Sequence, residues 1–271
     1  MIRTVLAIVE GQTSSKAFIE AVIAIADCRQ SHLIFDILTA APLMSPKLAP
    51  LGTVYTLPGE MQQLADSHIQ SLRALLPPGT KAELVSHFDE VGWIPGDLRT
   101  RAPVADLIIV GPREGWAIDW LRRRTIETLL LSSGTPILLL PPGRTLGAIN
   151  HAVLGWKPGA AATRTLHDLA SIAAPGARID VVSVKHGLGE VSKEALDPVV
   201  AVLERLGLRV EGHVLDQGEA PEDSLSAFAL ERGADLLAVG GFAHSRVREI
   251  VLGGVTHSLI EDPRLPILMA H

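Results

Sequence analysis

The sequence predicts an α/β protein with two tandem, doubly wound domains, each a five-stranded parallel sheet flanked by helices. Short apolar runs alternate with longer helical patterns along the 271 residues. This alternation is typical of parallel strands that are joined by helical crossovers. The segment at residues 105–111 also has a near copy at residues 234–240. Two copies of one unit therefore account for most of the chain.

A second repeated pattern supports a duplication. His87 is followed at fixed spacing by Gly, Pro and Asp, and the same spacing follows His213, 126 residues later. The separation is 129 residues at the two Ala-Asp strands and 130 residues at the two Pro-Ile-Leu segments. A slowly drifting separation is expected of two domains that differ by small loop changes. We predict domains at residues 1–143 and 148–271.

Ten strands are predicted from the apolar runs, five in each half. They span residues 4–9, 33–39, 82–87, 107–110 and 137–140, and then 151–156, 179–184, 209–215, 236–239 and 267–269. Helical patterns lie between them, among them residues 13–28, 61–76, 161–173, 198–206 and 224–232. Thr13 and Ser14 are the N-cap candidates of the first helix. The runs 107–110 and 236–239 are continuously apolar, as expected of strands that are covered on both faces.

The first copy carries about 20 extra residues between its first and third strands. Residues 41–59, which include four prolines, are the obvious place for them. A loop of this length is either a lid or interaction segment, or a passive excursion at the surface.

Composition excludes several classes of protein. Hydrophobic residues make up 47% and charged residues 20% of the chain, so no disorder signature is present. The net charge is −6 and neither half is basic, which argues against a nucleic-acid or anionic membrane surface. Cys28 is the only cysteine, which favours a reducing compartment. No apolar stretch reaches the length of a membrane helix and no leader pattern is present, so a cytoplasmic location is expected.

Two glycine pairs mark the most specific candidate site. Gly240 and Gly241 end a strand of the second half, and Gly253 and Gly254 follow thirteen residues later. Ligands of open α/β sheets bind beyond the carboxyl ends of strands. Glycine lets backbone N–H groups approach a phosphate, and a helix start adds partial positive charge. An anion site and a pair of tight turns both explain this spacing.

This segment resembles the nucleotide-binding pattern of the universal stress protein family, Gly-x2-Gly-x9-Gly-Ser/Thr. Here the pattern has Gly240, Ala243, Gly253 and Gly254 in those four positions. The resemblance covers essentially the whole chain as a tandem pair. It implies a non-enzymatic, cytoplasmic stress-response protein whose second domain binds ATP or a related adenine nucleotide, with Mg²⁺ and without a redox cofactor.

The resemblance also implies a set of nucleotide-binding residues. Adenine is expected near Trp156 and Val184, with Lys157 after the first strand of the copy, where family members usually have Asp; the first copy has Glu10 there. The residues expected around the phosphates are Gly240, Gly241, Gly253, Gly254 and Thr256. The other expected nucleotide-binding residues are Ala243, His244 and Val255. No catalytic residue and no metal-ligand set is predicted.

The first copy departs further from the pattern. Arg123 and Arg124 replace the second glycine pair, and Arg122 precedes them. Three arginines could hold an anion by side-chain pairing. A solvated basic face or an interdomain salt bridge is the favoured interpretation. The first copy is therefore not expected to bind a nucleotide, and one chain should bind one.

Other polar residues have structural explanations. His87 and His213 end matching strands, where they either face the crevices or serve packing. Asp97 and Asp223 are expected in the first turn of a helix, where a carboxylate favours the helix dipole. His244 and His257 flank the glycine segment without a metal-site pattern. Nucleophile-elbow and dinucleotide-binding motifs are absent from the sequence.

Two other functions stay open. A ligand-free scaffold or signalling module would act through an unidentified protein partner, with residues 41–59 the first contact to test. A weak nucleotide hydrolase is the other. The resemblance implies dimerisation through the last strands, 137–140 and 267–269. In a tandem chain these strands can pair internally as a pseudo-dimer, and a homodimer of the chain is a separate prediction.

Overall fold

The computed structural model describes residues 2–11, 15–41, 58–90, 98–185, 192–216, 220–241 and 254–271. The first half contains β1 (Thr4–Glu10), α1 (Lys16–Cys28), β2 (His32–Ala41), α2 (Pro58–Leu75), β3 (Ala82–Glu90), β4 (Leu107–Val110), α3 (Asp119–Ser132) and β5 (Ile137–Leu139). The second half contains β6 (Ile149–Gly155), α4 (Ala160–Ile172), β7 (Ala173–Val184), α5 (Asp197–Arg205), β8 (Arg209–Leu215), α6 (Pro221–Glu231), β9 (Leu236–Gly240), α7 (Gly254–Glu261) and β10 (Ile267–Ala270). Single 3₁₀ turns lie at Leu98–Thr100, Ala102–Val104, Arg113–Gly115 and Lys193–Leu196.

All ten described strands form one sheet, in the order β3-β2-β1-β4-β5-β10-β9-β6-β7-β8. Within each half the neighbouring strands are parallel. The two halves meet at β5 and β10, which are antiparallel, with Ile267 opposite Leu139. The last strands of the two copies therefore pair inside one chain, as the family resemblance implied.

Helices cover both faces of the sheet, which is why the central strands are continuously apolar. Side chains of α1, α2, α4 and α5 pack on one face, the α1 face. Side chains of α3, α6 and α7 pack on the other, the α3 face. Each layer of core runs across both halves, so burial of apolar surface holds the halves together as well as each half by itself.

The predicted fold class is confirmed, and every predicted strand is present with ends shifted by a few residues. The largest difference is at β7, which begins at Ala173 and not at Ile179. Pro175 and Gly176 indicate a turn in the sequence, but the chain stays in the sheet. The register against β6 shifts between Ile149 and His151, and Gly176 has a left-handed φ of 70°.

Several predictions fall at the edges of the described residues. Thr13 and Ser14 lie outside them, and the N-cap of α1 is Ser15. Residues 42–57 of the predicted long loop also lie outside, between β2 and α2. Asp97 lies outside as well, whereas Asp223 is in the first turn of α6 as predicted.

The predicted boundary near residues 143–148 lies between β5 and β6, and it stays a prediction. Among the helices that the structure describes, none combines the length and the apolar character needed to cross a membrane.

Candidate functional site

Each half of the sheet has one switch point, where neighbouring strands lead to helices on opposite faces. In the first half, β1 leads to α1 on the α1 face, and its neighbour β4 leads to α3 on the α3 face. In the second half, β6 leads to α4 and its neighbour β9 leads to α7 on the opposite face. The diverging connections leave a crevice at the carboxyl ends of the two strands, the usual ligand position in such sheets.

The crevice of the first half is filled by the chain's own side chains. A Cβ on Gly111 would lie 3.1 Å from the ring of Phe18, so that ring already packs against the end of β4. Trp116 is buried beside it. The cavity that remains among these side chains has a volume of about 10 Å³, about the least that holds one water molecule. A nucleotide base does not fit there.

Glu10 completes the closure of the first crevice. Its side chain is buried, and Oε2 accepts hydrogen bonds from the backbone N–H groups of Ala117 and, at 3.3 Å, Ile118. Ile118 is the N-cap of α3, so the carboxylate lies where a bound anion would meet the positive end of the helix. Burial raises the pKa of Glu10, and the two backbone hydrogen bonds oppose that rise. The first half thus supplies its own anion.

The corresponding position in the second half carries the opposite charge. Ile8 pairs with Val110 across β1 and β4, and Gly155 pairs with Val239 across β6 and β9. Two residues further along the chain come Glu10, at the end of β1, and Lys157, just after β6, so the two occupy corresponding positions. Lys157 is exposed at the crevice of the second half. A carboxylate that fills the first crevice is thereby replaced by a cation in the second.

Gly240 and Gly241 are required by close packing. A Cβ on Gly240 would lie 2.7 Å from the backbone nitrogen of Ala162, in the first turn of α4. A Cβ on Gly241 would lie 2.6 Å from Cδ2 of Leu130, which belongs to α3 of the other half. Neither glycine has a left-handed φ. Both explanations left open by the sequence stay predictions, since residues 242–253 lie outside the described part of the chain.

The structure describes only some of the remaining predicted site residues. Ala243, His244 and Gly253 lie outside the described residues. The backbone of the residues that follow forms the first turn of α7, with Gly254, Val255 and Thr256 at its start.

The two residues predicted near adenine are described completely. Trp156 is half-buried and packs against the core of the α1 face, whereas Val184 packs against the core of the α3 face. The two side chains contact the cores of opposite faces of the sheet, and their place beside adenine stays a prediction.

Arg122 is the buried member of the arginine cluster. Its Nε donates to the carbonyl of Gly111 at 2.9 Å, and its Nη1 donates to the carbonyl of Ile260 at 2.6 Å. Burial lowers the pKa of Arg122 to about 10. Because Ile260 lies in the last turn of α7, one side chain joins the crevice of the first half to a helix of the second.

The other two arginines are exposed ion-pair partners. Nη1 of Arg123 lies 3.7 Å from Oε1 of Glu261 in α7, and Nη1 of Arg124 lies 3.9 Å from Oε2 of Glu127. The favoured interpretation, an interdomain salt bridge, describes Arg123. The helical spacing of Arg122 from Ile126 and Leu129, four and seven residues on, is the sequence signal that indicates its burial.

The repeated histidines contact buried aspartates. Nε2 of His87 lies 2.7 Å from Oδ1 of Asp36. Nε2 of His213 lies 3.3 Å from Oδ1 of Asp180. Both aspartates are completely buried. Sequence reasoning found the histidines and missed the aspartates, although an acidic residue inside an apolar strand is itself a signal.

Comparison with known proteins agrees with this architecture. No protein-family model matches the chain. A universal stress protein of Methanocaldococcus jannaschii is 26% identical over 86 residues, which are 32% of this chain. The match spans 52% of that relative, about half of its length.

The structure of a universal stress protein from Archaeoglobus fulgidus superposes with a TM-score of 0.65. It covers 98% of this chain and 97% of its own, at 15% identity. The chain has the universal stress protein fold. A structure of a protein of this kind from Pseudomonas aeruginosa gives a TM-score of 0.56 at 14% identity, covering 99% of this chain and 93% of its own. The resemblance identified from the sequence is thereby confirmed.

Proposed function

We propose that this chain is a tandem universal stress protein that binds one adenine nucleotide, ATP or a relative of it with Mg²⁺, in its second half, and that it acts without catalysing a reaction. The carrying observation is the charge reversal between the two crevices. Glu10 fills the first, and Lys157 stands at the corresponding position of the second.

The reversal has a direct electrostatic consequence. In the first half the amide groups at the start of α3 are bonded to Glu10, so a phosphate would have to displace a buried carboxylate. In the second half a lysine stands in place of the carboxylate, and α7 follows the glycine segment. A polyphosphate is attracted to the second arrangement and repelled by the first.

Close packing of Gly240 and Gly241 does not compete with this proposal. Both glycines hold the end of β9 tightly between α4 and α3, which fixes the point at which the chain leaves the sheet toward α7. A phosphate site built from backbone amides depends on such a fixed point, since amides have no side-chain freedom with which to adjust.

Isothermal titration of the intact chain with ATP and Mg²⁺ tests the proposal. One binding site is expected. The Lys157→Glu chain should bind at least about tenfold more weakly, because it places a carboxylate where the first half has one. Lys81→Glu is the matched control, since Lys81 is exposed next to the amino end of β3 and should leave affinity unchanged. Absence of binding heat at millimolar ATP, with a folded sample, contradicts the proposal.

A further inference from the structure

A polar cluster surrounds Asp180 at the far edge of the second half. We call Asp180, Glu211, His213, His151 and Arg178 the Asp180 cluster. The carboxylate of Asp180 is completely buried on β7. The other four side chains reach it from β6, from β7 itself and from β8, which is the terminal strand of the sheet. The cluster is therefore buried at its base and open toward solvent at the edge strand.

The first half shows which part of this cluster the fold itself requires. Across β2 and β3, Asp36 pairs with Val85, and His87 comes two residues later. Across β7 and β8, Asp180 pairs with Glu211, and His213 comes two residues later. The Asp–His contact is thus common to both halves. Glu211 stands where the first half has valine, and the additional polar groups belong to the second half alone.

The extra groups bring three ligand atoms of different residues together. Nε2 of His213 lies 3.3 Å from Oδ1 of Asp180 and 3.7 Å from Oε2 of Glu211. One ligand atom from each residue lies within 4.8 Å of the other two. Zinc ligands with bonds of 2.0–2.2 Å in tetrahedral geometry are about 3.3–3.6 Å apart. Small side-chain rotations, above all of the half-exposed Glu211, bring the three atoms to that spacing.

A cation already lies between the two carboxylates. Nη2 of Arg178 is 3.1 Å from Oδ1 of Asp180 and 3.3 Å from Oε2 of Glu211. The guanidinium carries one positive charge against the two carboxylates of Asp180 and Glu211. The Arg178 side chain is 41% exposed and can turn toward solvent. An attraction for cations is therefore built into the cluster, and its present cation is replaceable.

Burial and hydrogen bonding prepare Asp180 as a ligand. Nε2 of His151 lies 3.0 Å from Oδ2 of Asp180, the carboxylate oxygen that is not among the three ligand atoms. A ligating carboxylate is commonly oriented by such a partner. The ring of His213 is held in turn by Phe228, with ring centres 5.0 Å apart.

We propose that the Asp180 cluster binds a divalent transition-metal ion such as Zn²⁺, with Asp180, Glu211 and His213 as its protein ligands. Binding displaces the Arg178 guanidinium into solvent and leaves the remaining coordination position to water. One imidazole and two carboxylates suit zinc, and they suit Mg²⁺ or Ca²⁺ less well because those ions prefer oxygen ligands throughout. The site lies at the edge strand and is independent of the proposed nucleotide site.

Zinc titration of the intact chain, in competition with a chromophoric chelator, tests this proposal. One ion per chain is expected. Arg178→Ala should tighten binding by about tenfold because it removes the competing cation. Glu211→Gln should weaken binding by about tenfold or more. Glu211 is 52% exposed, so this variant should fold as the natural chain does. His87→Gln is the matched control, since it changes the corresponding histidine of the half that lacks a second carboxylate.

The outcomes separate a metal site from a structural ion-pair network. Tighter zinc binding by Arg178→Ala, weaker binding by Glu211→Gln and unchanged binding by His87→Gln support the site. Absence of zinc uptake by both the natural chain and the Arg178→Ala chain overturns it. Equal affinity in the natural and Glu211→Gln chains also overturns it, because the ion would then be held by other histidines.

Discussion

Leu130 of the first half lies against Gly241 of the second, so closely that a Cβ on the glycine would be 2.6 Å from Cδ2 of the leucine. Leu130 is buried in α3, and Gly241 follows the strand from which the proposed nucleotide loop leaves the sheet. The half with the filled crevice therefore supports the half with the candidate site. This contact explains why glycine is needed at Gly241 without any ligand being present.

The contact predicts a non-additive pair of substitutions. Gly241→Ala should lower the free energy of unfolding by about 1–3 kcal/mol, because the new methyl group overpacks against Leu130. Leu130→Ala should cost about 2–5 kcal/mol in the natural chain and clearly less in the Gly241→Ala chain, where it also relieves the clash. Urea denaturation of the four chains measures the coupling.

Gly147→Ala is the control for this cycle. Gly147 is exposed, has no left-handed φ and has open space around its Cβ position. The substitution should change stability by less than about 0.5 kcal/mol. If Gly241→Ala and Leu130→Ala changed the free energy of unfolding by strictly additive amounts, the two residues would not be in energetically coupled contact.

Arg122 should be the most sensitive residue of the arginine cluster. Arg122→Ala removes the donor from the carbonyls of Gly111 and Ile260, and we expect a loss of about 2–4 kcal/mol. Arg122→Met restores the packing of the aliphatic stem without the hydrogen bonds, so its loss should be smaller. Arg124→Ala is the exposed control, with an expected change within about 0.5 kcal/mol. Equal effects at the two positions in thermal denaturation would contradict the hydrogen-bonded role of Arg122.

Because Glu10 is buried, we expect it to make the free energy of unfolding depend on pH. A single substitution should remove this contribution. Its pKa in the folded chain is raised above 4.5, so its contribution to stability is complete below pH 4.5 and is lost as the pH rises through the folded pKa. Glu10→Gln keeps an acceptor for Ala117 and Ile118 but does not titrate. The stability of the Gln chain relative to the natural chain should therefore increase from pH 4.5 to pH 7.

Urea unfolding of both chains across this range measures the difference. Groups that titrate in both chains contribute equally to the two free energies of unfolding, so their contributions cancel in the difference. A constant difference at every pH would mean that Glu10 has the same pKa folded and unfolded, contrary to its burial.

Much of the fold could be predicted because parallel strands covered on both faces are continuous apolar runs. The 107–110 prediction matches β4 for this reason. The start of β7 could not be predicted in the same way. Pro175 and Gly176 indicate a turn locally, and in the structure they form an irregularity within β7, where the register against β6 shifts.

The crevices at the carboxyl ends of the strands were predictable in position, but their side-chain contacts were not. Glu10 and Lys157 could be matched by comparing the copies, yet the backbone partners of Glu10 lie more than one hundred residues away. Trp156 and Val184 were placed together from the resemblance, whereas strand parity puts them on opposite faces. Contacts between distant segments, such as Leu130 with Gly241, depend on the packing of the halves, which local patterns do not contain.

We propose that this chain binds one nucleotide, in its second half. A crystal structure of the intact chain grown with ATP and Mg²⁺ tests it most directly. We expect density for one triphosphate in the crevice of the second half, close to Lys157, with Glu10 still bonded to the amides of Ala117 and Ile118. A triphosphate at the start of α3, or no nucleotide in either crevice at millimolar ATP, would contradict it.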